Sequence, residues 1–134
     1  NDERKEARAG GRILGAKWGM EPLFFADPKE AEAAILNIGA DPRGAVIMKE
    51  KAVFRVVKLQ KVPLRVANVL KQTFLSKGAD AAVSRGTSEL TAQTTDMLLM
   101  GTLAQYRRVL KVLYRQPFGL RGLAEELEKL LMKT

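Results

Sequence analysis

The 134 residues contain no cysteine and no histidine, and those two absences remove most of the common catalytic repertoires. Without cysteine there are no disulfides, thiolate metal sites or cysteine nucleophiles, and a reducing cytoplasm is the expected compartment. Without histidine there is no Ser-His-Asp or Cys-His arrangement and no common zinc set. Nor is there a side chain whose ordinary pKa lies near neutrality. Aromatic residues are only 6% of the chain, with a single tryptophan. No apolar run approaches the roughly 18 residues of a membrane span. Residues 1–19 carry charges but lack the apolar core of a signal peptide, so no membrane partner is expected.

What remains has ordinary globular composition, 46% hydrophobic and 28% charged. A chain of this length buries roughly two-thirds of its unfolded surface, enough for one hydrophobic core. The polar, glycine-containing stretch 1–19 is expected to be a loose or appended lead, because Met20 can itself serve as an initiator. Residues 20–134 are expected to form a single domain.

Local signals divide that domain into elements. Residues 22–26 (PLFFA) read as an edge strand opened by a proline. Asp27 is a good N-cap, Pro28 suits the first helical position, and Ala31, Ala34, Ile35 and Ile38 make an apolar stripe that ends at Gly39. Asp41, Pro42, Arg43 and Gly44 signal a turn. Residues 45–48 then read as a strand joined to residues 52–60 by a charged hairpin at Lys49, Glu50 and Lys51. Residues 52–60 carry apolar groups on both faces, Val53, Val57 and Leu59 on one and Phe54 and Val56 on the other, which predicts an interior strand.

Pro63 opens a helix marked by Val66, Val69, Leu70 and Phe74 and capped by Gly78. Residues 80–85 form the next strand, through a right-handed parallel crossover. Residues 86–95 are polar and read as a loop, and residues 96–101 as a strand. Thr102 and Gln105 make a capping box for a helix with Leu103, Tyr106, Leu110, Leu113 and Tyr114 inward. Pro117 ends it, and residues 120–132 form a last helix. The expected fold is an α/β class, mixed-sheet α/β sandwich of four or five strands. Its core is a strand-helix-strand-strand-helix unit related to ferredoxin-like folds, with an extra N-terminal strand-helix and a C-terminal helix.

Candidate chemistry is sparse. The net charge is +8, and basic residues crowd the stretch from Arg43 to Arg115, which gives a field that attracts anions. Nucleic acid is one such anion, but the paired aromatics and GxxG loop of common nucleic-acid modules are missing, so that partner is disfavoured. Ser84, Arg85, Gly86 and Thr87 follow a strand and supply hydroxyls, a guanidinium and backbone for an anion contact. No helix is expected directly after them, and an ordinary strand-exit turn is the simpler reading. Gly101 and Thr102 present helix-start N–H groups, some already used by the capping box. Glu125, Glu126 and Glu128 read as a solvated helix face rather than a catalytic pair. No catalytic and no metal residues are assigned.

Several segments together carry a resemblance: residues 38–41 with Gly44, 57–59, 67–72, 78–87, 95–102 (TDMLLMGT) and 116–119 (QPFG). Across residues 22–131 the chain resembles the N-terminal extension that precedes the catalytic barrel of dihydropteroate synthases, of clostridial type. The resemblance implies a non-catalytic accessory domain in folate biosynthesis, with the synthase barrel as partner and homo-oligomer contacts as an alternative. The family condenses a pterin pyrophosphate with p-aminobenzoate, using Mg2+ in a (β/α)8 barrel. Its Asn-x-Thr-Pro-Asp-Ser-Phe motif is absent here, so no active-site residue carries over and no cofactor is expected in this chain. Leu120, Leu123, Leu127, Leu130 and Leu131 mark the last helix as the docking element.

Overall fold

A computed structural model describes residues 17–88, 93–117 and 119–132. Helix α1 (Pro28–Asn37) starts where the capping chemistry demands. The Asp27 carboxylate accepts from the Glu30 N–H at 3.0 Å, and the Glu30 carboxylate accepts from the Ala26 N–H at 2.7 Å. Ala31 is fully buried, whereas Ile38 lies past the helix end and is exposed.

The same signal then repeats. Asp41 accepts from the Arg43 N–H at 2.8 Å, Pro42 takes the first helical position, and helix α2 (Pro42–Met48) forms where a turn and a strand were expected. Four apolar residues are too few to show a period, so the cap decides. A 3-10 turn (Lys49–Ala52) replaces the charged hairpin. Residues 22–26 are not a strand either. The Arg55 guanidinium donates to the Ala26 carbonyl and holds that segment beside the sheet without pairing it, leaving Phe24 exposed.

Among the described residues the sheet therefore has three strands rather than four or five: β1 (Phe54–Pro63), β2 (Asp80–Val83) and β3 (Thr94–Thr102), in the order β1-β3-β2. Both pairings are antiparallel, so the sheet is not mixed. Helix α3 (Leu64–Ser76) links β1 to β2, which run parallel but do not touch, because β3 fills the gap between them. That is the split strand-helix-strand-strand-helix order read from the sequence, and the α/β class holds. The expected interior strand is an edge. Its apolar outer face, Phe54 and Val56 at 57% and 56% exposure, belongs to an open sheet surface rather than a second buried one.

Helices α3, α5 (Leu103–Arg115) and α6 (Arg121–Met132) form the covering layer, with α6 against α5. A single turn, α4 (Arg85–Ser88), sits between β2 and β3. On β3, Thr95, Met97, Leu99 and Gly101 face the helices and are buried, while Asp96 and Leu98 face out. The capping box of α5 is complete. Thr102 N–H donates to Gln105 Oε1 at 2.9 Å, and Gln105 N–H donates to Thr102 Oγ1 at 3.2 Å. Gln105 Nε2 also donates to the Gly78 carbonyl at 3.1 Å, which ties the start of α5 to the left-handed turn (φ 78°) that ends α3.

Tyr106 is the largest fully buried side chain. Its hydroxyl lies 3.0 Å from both the Arg55 and the Leu99 carbonyl oxygens, on β1 and β3, and its ring meets Phe74 of α3 edge-on at 5.4 Å. One residue thus pins α5 to two strands and a helix. Burial pushes the phenol well above its ordinary value of 10.0. A raised folded-state pKa means that its stabilisation is complete below the unfolded value and is lost as pH climbs from there. Urea melts should show stability falling above about pH 10. Tyr106→Phe should cost about 1 kcal/mol at pH 7 through the lost hydrogen bond and should flatten that alkaline slope. An unchanged slope in the variant would show that other groups cause it.

Candidate functional site

Among the described residues a groove of about 690 Å³ lies beside the free edge of the sheet. One wall is continuous strand, residues 57–63 of β1, and the other is α6 with the turn before it, through Gly119, Leu120, Leu123, Glu126, Leu127 and Leu130. A second groove of about 580 Å³ continues it over the start of α3, sharing Pro63, Val66 and Leu120 and adding Arg65 and Gln93. Volumes of this order suit a small molecule or a stretch of peptide.

Local chemistry shapes the first wall. The pairing of β1 with β3 shifts register between Leu59 and Val62, and Lys61 within that bulge has φ 52°, the only non-glycine positive φ among the described residues. Its N–H donates to the Asp96 carboxylate of β3 at 3.0 Å, which compensates for the strained backbone. Lys61 is thereby held at the groove with Lys58 beside it, and Glu126 stands opposite.

The leucines read as a docking stripe are divided by the structure. Leu120, Leu127 and Leu131 are buried in the chain's own core along with Ala124, and Leu123 is half-buried. Leu130, 66% exposed, is the one that faces outward. The stripe has a large internal use, and the surface it leaves free is the groove flank.

The proposed anion contact has a different setting from the one expected. Helix α4 begins at Arg85, so a helical turn does follow Ser84 directly. Ser84 N–H donates to Thr95 Oγ1 of β3 at 3.0 Å, and Ser84 Oγ accepts from Gly86 N–H at 3.3 Å, so the first bond ties the turn to the sheet and the second serves the turn itself. Thr87 lies within that turn, and residues 89–92 of the expected loop are outside the described residues. At the Gly101 and Thr102 joint the capping box uses the Thr102 N–H. A Cβ on Gly101 would come within 3.1 Å of Ala79 Cβ and Gln105 Oε1, leaving no room for a ligand on that side.

The basic face of α5 is partly neutralised by carboxylates from distant sequence. Glu50 accepts from Arg107 Nε at 2.6 Å, and that hydrogen bond raises the arginine's pKa further. Tyr114 donates to the Glu128 carboxylate of α6, which pushes its phenol pKa upward, and Arg121 lies 5.1 Å over the same ring. Lys49 pairs with Glu32 at 3.5 Å. The open sheet face carries Phe54, Val56, Leu98 and Met100 around Lys58, with one aromatic among them.

The groove was not visible in the sequence, because it exists only if β1 is an edge. The one local signal was lysine at a strand bulge, which resembles any other exposed charge until its backbone angle is known. No helix among the described residues is long and apolar enough to cross a membrane.

No family model matches the chain, and no solved structure matches it. Three curated proteins do. A probable bifunctional folylpolyglutamate synthase/dihydropteroate synthase of Halobacterium salinarum is 34% identical over 102 residues, 76% of this chain and 12% of that protein. A bifunctional dihydropteroate synthase/dihydropteroate reductase of Helicobacter pylori is 31% identical over 102 residues, 76% of this chain and 27% of that protein. A probable bifunctional folylpolyglutamate synthase/dihydropteroate synthase of Haloferax volcanii is 38% identical over 81 residues, 60% of this chain and 9% of that protein. The chain is therefore similar to a dihydropteroate-synthase-related region and matches between about a tenth and a quarter of the length of these relatives.

The division of the leucine stripe has a direct consequence for stability. Leu127→Ala should cost about 2–5 kcal/mol, the ordinary range for an emptied core site. Leu130→Glu should change stability by no more than about 0.5 kcal/mol. Denaturant midpoints of the two variants check this, and equal losses would contradict the burial pattern.

Proposed function

We propose that this chain is a separately folded companion of dihydropteroate synthase in folate biosynthesis, lying outside the synthase barrel. One combination of observations carries the reading. The chain is similar to proteins named for that activity, yet its described residues fold as three antiparallel strands under helices. A (β/α)8 barrel needs eight parallel strands and about 250 residues. The Helicobacter relative has room for both, since the match covers 27% of it and leaves about 280 residues elsewhere.

The companion's role, on the reading the surface supports best, is non-catalytic docking: an N-terminal accessory domain that meets the synthase barrel or a second copy. The groove flank with Leu130 and the open sheet face with Phe54 and Val56 supply apolar surface for such contacts. A second reading is favoured by one specific observation. The Helicobacter relative's other named activity is dihydropteroate reductase, and a matched segment outside the barrel is a natural place for it. In that case this chain would bind dihydropteroate and let a reduced nicotinamide or flavin deliver hydride to it, with a proton completing tetrahydropteroate.

The two readings part in one assay. The purified chain is mixed with dihydropteroate and a reduced nicotinamide donor, with and without flavin, and donor oxidation is followed by absorbance. Docking alone predicts no turnover above the protein-free rate. Substrate-dependent oxidation would transfer the proposal to the reductase.

A further inference from the structure

We propose that the free edge of β1 and the groove beside it form a strand-addition site for an extended acidic segment of a partner protein. This inference depends on neither role discussed above. Its basis is the coincidence of three features at one place. The first is backbone. β1 has β3 on one side and no strand on the other among the described residues, so its outward N–H and C=O groups have no strand partner, although the Phe54 carbonyl accepts from Arg55 and Pro63 has no N–H.

The second is shape. The groove is lined by seven consecutive positions of that strand, residues 57–63, with α6 as the facing wall. A cleft between an edge strand and a helix accepts an extended peptide as an added strand. Main-chain hydrogen bonds give affinity, and alternate side chains drop into apolar pockets, here between Leu59, Leu123 and Leu130.

The third is charge, and it selects the occupant. The charged residues lining the two joined grooves are Lys58, Lys61 and Arg65 against Glu126 alone. The strand itself carries Arg55, Lys58 and Lys61 and no carboxylate. Self-pairing of β1 with a second copy in antiparallel register can set its cations only against neutral residues or other cations. With Lys58 on the two-fold axis, Arg55 meets Lys61. Like charges opposed across strands are destabilising, so a second copy is disfavoured where an acidic strand is welcomed.

The test uses the whole chain and a blocked synthetic hexapeptide of alternating valine and glutamate, with an alternately N-methylated version as control. Calorimetry should detect binding of the plain peptide. N-methylation, which deletes its N–H donors, should weaken binding about tenfold or more, equivalent to about 1.4 kcal/mol. Lys58→Glu should weaken it too, and amide exchange along β1 should slow in the complex. Equal affinity for the methylated peptide would overturn the proposal, since charge attraction alone would then explain binding. No binding at millimolar peptide would also overturn it. So would self-association of the chain that protects β1 and resists the peptide.

Discussion

The insertion of β3 between β1 and β2 governs this molecule. With β3 at the centre and no further strand among the described residues, β1 lies at an edge, and α5, which follows β3 without a break, lies across the sheet it has just left. Tyr106 secures that geometry. Its hydroxyl sits where the carbonyls of β1 and β3 converge, so the fit of α5 to the sheet depends on both strands being in register. The N-terminus of the same helix is fixed independently by Gln105, whose amide serves its own cap and the last turn of α3 together. The core is held by a few polar contacts at strand-helix joints, with leucine, valine and alanine filling the space between.

Much of this was legible from spacing and capping. Asp27 with Pro28, Thr102 with Gln105, and Gly78 after Phe74 each announced a helix boundary that the structure keeps, because caps are local and their chemistry does not wait for tertiary contacts. The failures were of another kind. Residues 45–48 and 22–26 are short apolar runs without a period, and such runs take whatever state their neighbours impose. A proline and an aspartate before the first turned it into α2. The second had no strand to pair with, since the edge nearest it is reached only through the Arg55 side chain. Alternating apolar faces on residues 52–60 meant interior on the assumption that both faces would be covered. Strand order decides that, and it is a long-range property.

The candidate site follows the same division. Its leucines were recognisable as a stripe, but a helical stripe does not say how it is shared between the chain's own core and the outside. Leu120, Leu127 and Leu131 go inward, and Leu130 does not, because α6 meets α5 along one line and turns its flank to the edge strand. The Lys61 backbone could not be anticipated at all. A left-handed lysine needs the bulge and the Asp96 acceptor together, and these come from strands 35 residues apart.

The three cations along β1 have one more consequence. An uncovered strand edge can pair with the same edge of a second copy, and along β1 the opposed cations weigh against that two-fold pairing. Repulsion of this kind is only as strong as the solvent allows. Its range shrinks from about 10 Å at 0.1 M salt to about 3 Å at 1 M. Concentrated electrolyte, usually chosen to keep basic proteins apart from contaminating polyanions, would therefore weaken the repulsion that disfavours pairing of two copies through β1.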